Sequence, residues 1–122
     1  MISFLAVFVG GGLGSFCRYA TGLLVKMLFG GAFPLGTLLV NLFGCFAIGY
    51  LSARFERIFA TQETRDFCLA GLLGGFTTFS AFSLETMNLF RNGSNGAAVL
   101  NILLNVILGL LLAYAGLYLG RK

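Results

Sequence analysis

The chain has 122 residues, of which 58% are hydrophobic and only 10% are charged, and its formal net charge is +4. A soluble domain carries about 25% charged residues and is about 45–50% apolar, so the composition excludes a water-soluble enzyme and a disordered chain. A membrane-spanning helix needs about 20 mostly apolar residues, so this length fits a single transmembrane domain of four helices. The continuous apolar runs exclude the alternating pattern of a membrane β-barrel.

Four apolar segments are predicted as membrane-spanning helices. The first covers about residues 3–28 and contains Arg18. The second covers about residues 34–53 and begins at a proline, which suits the first turn of a helix. After a charged segment, the third covers about residues 67–90, and after a short polar turn the fourth covers about residues 97–120.

Positive charges are divided unevenly between the two ends of these helices. One end carries Arg54, Arg57, Arg65, Arg121 and Lys122, and the other end carries Lys26 and Arg91. Because lysine and arginine favour the cytoplasmic side, the bias leans modestly towards a cytoplasmic N-terminus. The net positive charge is accounted for at these membrane edges and requires no nucleic-acid partner.

Glycines recur at a spacing of four residues in three of the spans. The pairs are Gly10 and Gly14, Gly71 and Gly75, and Gly116 and Gly120. Small residues mark the contact faces of helices in lipid, where close packing replaces the hydrophobic effect. Four helices can hardly enclose a pore and also bury all of these faces, so we expect a dimer. For any single pair, packing within one chain is the better explanation.

The middle of the third span is the most informative segment. Residues 74–83, GGFTTFSAFS, combine two adjacent glycines with four hydroxyl residues, which is poor material for a regular lipid-facing helix. Irregular backbone at membrane depth survives only where protein or a water-filled cavity surrounds it, and broken helices in transporters direct free carbonyls at ions. We therefore predict unwound backbone here. The alternative is a continuous helix whose hydroxyls bond back to carbonyls one turn earlier.

Phe79, Phe82 and Asn41 are candidate pore residues. On a helix the two phenylalanines share a face, and their ring edges, which carry partial positive charge, can hold a small anion. Asn41 supplies two N–H donors in the interior of the second span. The simpler interpretations are core packing for the rings and a helix-bridging contact for the amide. Asn101 and Asn105 are polar groups of the fourth span.

Arg18 and Glu85 interrupt apolar spans and have two interpretations each. A long basic side chain reaches the membrane interface from some depth, whereas an ionisable group within the membrane is a functional candidate. Arg18 would then concentrate anions at the mouth of a pore. Glu85 stands where the uncharged run of the third span ends, which favours the structural interpretation.

Three segments together resemble the Fluc (CrcB) family of fluoride channels. They are residues 11–19, GGLGSFCRY, residues 36–44, GTLLVNLFG, and residues 74–85, GGFTTFSAFSLE. The resemblance implies an all-α membrane protein whose third helix is broken and which forms an antiparallel, dual-topology homodimer. It also implies two fluoride pores in that dimer, which release cytoplasmic fluoride passively down its gradient across the plasma (inner) membrane.

The resemblance also implies roles for individual residues. A central structural Na⁺ would be held by the backbone carbonyls of Gly75 and Thr78 from each copy, and hard oxygen ligands suit such a cation. The pore would use the ring edges of Phe79 and Phe82, the amide of Asn41, the first-helix Arg18 and, as nearby donors, Ser80 and Ser83.

One departure and one alternative qualify this interpretation. Leu110 follows Gly109 where relatives often carry a hydroxyl residue, and the fourth span contains no serine or threonine, so the chain could pair with an unlike subunit.

The alternative function is a four-helix, dual-topology multidrug exporter. Proton-coupled export calls for a carboxylate deep in a span, and Glu85 lies too near a predicted helix end. An enzyme is not expected, since the chain has no histidine and no predicted buried carboxylate to serve as a base.

Overall fold

The computed structural model describes all 122 residues and contains helices but no strands. Four helical segments are long and apolar enough to cross a membrane, and they coincide with the four predicted spans to within a few residues. They are Ile2–Phe29, Leu35–Arg57, Gln62–Arg91 and Asn95–Gly120. We label the first two α1 and α2 and the last α5. The third segment consists of α3, residues 62–76, and α4, Phe79–Arg91.

The helices pack mainly as two pairs, α1 against α3 and α2 against α5. Glycines allow the close approach in both pairs. A Cβ atom at Gly14 would overlap the carbonyl oxygen of Leu72, and one at Gly116 would overlap the carbonyl oxygen of Phe46. The glycines that suggested a dimer therefore serve packing within the chain, which is the simpler of the two explanations.

Two stretches contain the wider turns of a π-helix. They are Asp66–Leu73 within α3 and Leu104–Leu108 within α5. Such turns rotate the side chains that follow them relative to a regular α-helix, and they are frequent at functional sites. Asn105, on the second stretch, faces the interior of the bundle through its side chain.

The third segment is interrupted at Thr77 and Thr78. Their backbone is extended, with φ −85° and ψ 160° at Thr77 and φ −153° and ψ 115° at Thr78. The irregular region is thus narrower than the ten residues predicted. Gly75 is helical, and its backbone lies against Gly11 of α1, where a Cβ atom would not fit. Regular structure resumes at Phe79, so Ser80 and Ser83 lie on α4.

Candidate functional site

The interruption between α3 and α4 is bound to α2 through Asn41. The Thr78 N–H donates to the Asn41 Oδ1 at 2.8 Å, and the Asn41 Nδ2 donates to the Thr78 carbonyl at 3.1 Å. The carboxamide therefore satisfies both main-chain groups of Thr78, in the way that a neighbouring β-strand would. This contact replaces the helical hydrogen bonds that Thr78 lacks in its extended conformation.

Gly44 supplies a second contact to the interruption, one helical turn after Asn41. A Cβ atom at Gly44 would overlap the Cγ2 methyl of Thr77, so this methyl occupies the space left by the missing side chain. The Thr77 hydroxyl donates to the carbonyl of Leu73 at 3.1 Å, which sets the rotamer that directs the methyl to α2.

A chain of hydrogen bonds leads from Asn41 through the core. The Asn41 Nδ2 donates to the Asn105 Oδ1 at 2.9 Å, and the Asn105 Nδ2 donates to the carbonyl of Asn101 at 3.0 Å. The Asn101 Nδ2 donates to the Thr86 hydroxyl at 3.0 Å, which donates to the Phe82 carbonyl at 2.7 Å. We call Asn41, Asn105, Asn101 and Thr86 the amide ladder. The amide ladder joins α2, α5 and α4 through an unbroken series of hydrogen bonds.

Phe79 and Phe82 stand side by side at the start of α4. Their ring centroids are 5.4 Å apart and the rings are tilted by 55°. They border a groove of about 320 Å³ that Asn41, Thr78 and Asn105 also line. The structure thus brings three of the predicted pore residues together, with one ring on the surface and the other in the interior.

Arg18 lies at a second cavity, which also borders the interruption at Thr78. This cavity of about 220 Å³ is lined by Arg18 and Ser15 of α1, Thr37 of α2 and Thr78. The Arg18 Nε atom is buried and has no hydrogen-bond partner. Arg18 is therefore near the interruption but does not line the groove beside the two rings.

Glu85 lies on α4, six residues before its last residue, Arg91, and the predicted third span ended near residue 90. The Thr37 hydroxyl donates to the Glu85 Oε1 at 2.7 Å, and the Oε2 atom is buried without a partner. Both residues line a cavity of about 330 Å³ that also contacts Lys26. Prediction from the sequence missed this pair because Thr37 and Glu85 are 48 residues apart.

Ser80 and Ser83 are placed differently. The Ser80 Oγ lies 3.2 Å from the Thr78 Oγ1, which is itself the N-cap of α4 and accepts from the Ala81 N–H at 3.2 Å. The Ser83 hydroxyl donates to the Phe79 carbonyl within its own helix at 2.9 Å. Ser80 is thus an exposed hydroxyl close to the interruption. The Ser83 hydroxyl already donates its hydrogen to a main-chain carbonyl.

The interruption also presents main-chain carbonyls suited to a cation. The chain has no cluster of three or more acidic, cysteine or histidine side chains, so a cation here must be held by other oxygens. Gly75 lies in the last turn of α3, where carbonyls lack intrahelical partners, and the Ser15 hydroxyl approaches its oxygen at 3.5 Å. The Thr78 carbonyl accepts from Asn41 and keeps a second lone pair. These two carbonyl oxygens are the groups at the interruption that are available to a cation such as Na⁺.

Comparison with known proteins gives consistent matches over nearly the whole chain. Residues 5–117 match the model of the family described as CrcB-like protein, Camphor Resistance (CrcB). A protein of Magnetococcus marinus named fluoride-specific ion channel FluC is 47% identical over 116 residues, which cover 94% of each chain. A protein of the same name from Paracoccus denitrificans is 47% identical over 119 residues, covering 98% of this chain and 94% of that protein. The relative from Dehalococcoides mccartyi is 44% identical over 117 residues, covering 95% and 90%.

Proposed function

Because the chain belongs to the CrcB-like family, we propose that this multi-pass membrane protein is a passive, fluoride-selective channel that releases cytoplasmic fluoride down its gradient. Its relatives carry the name fluoride-specific ion channel. The observation that carries the proposal is the groove at the interruption, where the rings of Phe79 and Phe82 lie beside the amide ladder.

The chemistry of the groove suits a small, strongly hydrated anion. An anion that leaves water needs replacement donors, and these must bind weakly enough to release it. The edges of Phe79 and Phe82 provide partial positive charge in the groove. The N–H groups of Asn41 are bonded to Thr78 and Asn105, so the ring edges are the groups of the groove that are free for the ion. The exposed Ser80 hydroxyl lies outside the groove lining, 3.2 Å from the Thr78 hydroxyl, and is a candidate donor at its edge. Arg18, one cavity away, would raise the local anion concentration.

We propose that the functional unit contains two copies of the chain in antiparallel, dual-topology arrangement, with two pores. Two observations support this. The Phe79 ring is 76% exposed in the single chain, although it borders the groove, so a second copy would complete the wall. The modest positive-charge bias between the two ends allows both insertion directions. An unlike paired subunit would complete the groove in the same way.

A structural Na⁺ between the two copies is a further part of the proposal. Its ligands would be the carbonyl oxygens of Gly75 and Thr78 from each copy, which are hard donors of the kind that alkali ions take. The chain's own residues prepare this site, because Asn41 holds Thr78 in the extended conformation and Gly11 holds Gly75 close to α1.

The proposal is tested with liposomes that hold only this purified chain. Fluoride release is recorded with an ion-selective electrode after the membrane potential is clamped, and chloride serves as the comparison ion. Rapid fluoride release with negligible chloride release is the expected result. If fluoride release requires a co-expressed unlike subunit, the functional unit is a heterodimer and not a homodimer. No selective fluoride release from either preparation would reject the channel.

One observation favours the alternative of a proton-coupled multidrug exporter. Glu85 is a partly buried carboxylate within α4, and its Oε2 atom has no partner. An exporter would move a lipophilic cation such as ethidium against a proton gradient in the same liposomes. The relatives' names favour the channel, so we expect no ethidium transport.

A further inference from the structure

The geometry points to Asn41 and Gly44 as a dock on α2 that holds the interruption of the third segment in its extended conformation. In this assignment Asn41 is a positioning residue, which acts on the ion pathway through Thr78. The dock itself follows from contacts within one chain, whereas its effect on flux rests on the proposed function.

The first half of the dock is the reciprocal pairing of Asn41 with Thr78. The carboxamide accepts from the Thr78 N–H at 2.8 Å and donates to the Thr78 carbonyl at 3.1 Å. Its remaining N–H donates to the Asn105 Oδ1 at 2.9 Å. An amide has only two N–H donors, so neither Asn41 donor is left for an ion. The side chain is placed at the pathway, yet its hydrogen bonds all go to the protein.

The second half of the dock is the fit between Gly44 and Thr77. Asn41 and Gly44 are three residues apart on α2 and therefore lie on one face of the helix. That face meets two consecutive residues of the interruption, and the Thr77 methyl fills the space above Gly44. The Thr77 hydroxyl is held by the Leu73 carbonyl, so the methyl cannot rotate away without breaking that hydrogen bond.

Together the two contacts fix where α4 begins. Thr78 is the N-cap of α4, and the two rings at the pathway lie one and four residues after it. A shift of the interruption would therefore move Phe79 and Phe82 relative to the groove. The dock is internal to the chain, so the interruption keeps its shape without a bound cation or a second copy.

Size compensation between positions 44 and 77 tests the dock. Gly44→Ala places a methyl where the Thr77 Cγ2 now lies, and Thr77→Ser removes that Cγ2 while it keeps the hydroxyl. We expect Gly44→Ala to lower the fluoride rate per active channel by roughly tenfold or more, the effect of a barrier change of about 1.4 kcal/mol. The double variant should recover most of the wild-type rate, and Thr77→Ser alone, which loses the methyl contact but keeps the hydroxyl, should fall between wild type and Gly44→Ala.

The rate per channel is measured at a protein density that leaves most liposomes with one channel or none. The fraction of liposomes that release fluoride then reports folded channels, and the speed of release reports the pathway. A normal rate in Gly44→Ala, or a double variant as slow as Gly44→Ala alone, would overturn the dock.

Amide exchange provides a readout that does not depend on fluoride. In the full-length protein in lipid nanodiscs, the Thr78 amide should exchange slowly in wild type and at least tenfold faster in Asn41→Leu, which cannot accept its hydrogen. Ser52→Ala, on the same helix and eight residues beyond Gly44, is the matched control and should leave this exchange unchanged. Unchanged exchange in Asn41→Leu would also overturn the dock. If wild type exchanges as expected but conducts no fluoride, the channel proposal fails and the dock stands.

Discussion

The aromatic rings of Phe79 and Phe82 are neighbours with opposite environments. Their centroids are 5.4 Å apart, but Phe79 is 76% exposed in the single chain and Phe82 is 7% exposed. A pair that spans from the surface to the interior beside one groove is suited to guide an ion along it. For the same reason the two rings are the most direct test of the proposed pathway.

Replacing either ring by an aliphatic side chain should suppress fluoride flux. Phe79→Ile and Phe82→Ile remove the positive ring edge and preserve much of the apolar volume, so we expect roughly tenfold or greater loss of rate with assembly intact. Flux is measured in liposomes, and assembly by size-exclusion chromatography with light scattering. Normal flux in both variants would exclude the ring-edge mechanism. Leu84→Ile, on the exposed surface of α4, is the control.

Thr78 should contribute to stability through its side chain and to cation binding through its backbone. Its hydroxyl caps α4, so Thr78→Ala should lower the free energy of unfolding by about 1 kcal/mol, and Thr78→Ser should retain the cap. The dependence of thermal stability on Na⁺, with a large organic cation as the replacement, should be the same in both variants and in wild type. If Thr78→Ala alone loses that dependence on Na⁺, the ligand is the Thr78 hydroxyl and not its carbonyl.

The packing of α1 against α3 should be sensitive to one glycine and insensitive to another. A Cβ atom at Gly14 would overlap the main chain of Leu72, so Gly14→Ala should separate the helices and lower the yield of monodisperse protein several-fold. Gly12 has nothing within 4 Å of the corresponding position, so Gly12→Ala should be tolerated. Yield is compared by fluorescence-detected size-exclusion chromatography. Equal yields of the two variants would contradict the close packing.

The amide ladder should stabilise the bundle through its buried member. Asn101 is 1% exposed, and Asn101→Ala would leave the Thr86 hydroxyl without a donor and the Asn105 amide without its side-chain acceptor. We expect a loss of about 1–2 kcal/mol in the free energy of unfolding, since interhelical hydrogen bonds in membranes are individually modest. Denaturant unfolding in detergent measures this. Tyr114→Phe, at an exposed position on α5, is the control and should have no effect.

The helices could be predicted from the sequence because their signal is local. Twenty apolar residues between charged or glycine-rich breaks are sufficient, and the predicted spans coincide with the observed helices. Unwound backbone was predicted over a ten-residue segment, of which only Thr77 and Thr78 are extended. The position of the interruption at these two residues depends on contacts with Asn41 and Gly44, which are more than 30 residues away in the chain.

The roles of the polar residues were harder to predict than their presence. Asn41, Asn101 and Asn105 are visible in apolar spans, but their partners depend on how α2 and α5 pack and on the π-helical turns near Asn105. The predicted third span already continued through Glu85 to about residue 90, and α4 ends at Arg91. Local composition does not report that the Glu85 carboxylate accepts a hydrogen bond from Thr37, which is 48 residues away.

The direction of the hydrogen bonds in the amide ladder has a consequence for the interior of the protein. Every donor points the same way, from Asn41 through Asn105, Asn101 and Thr86, and the last acceptor is the Phe82 carbonyl. A carbonyl cannot donate, so reversing every hydrogen bond would leave the Phe82 carbonyl without its donor. If a single amide flipped, a donor would face a donor or an acceptor would face an acceptor. The ladder therefore has one favoured direction, which runs from α2 through α5 to α4.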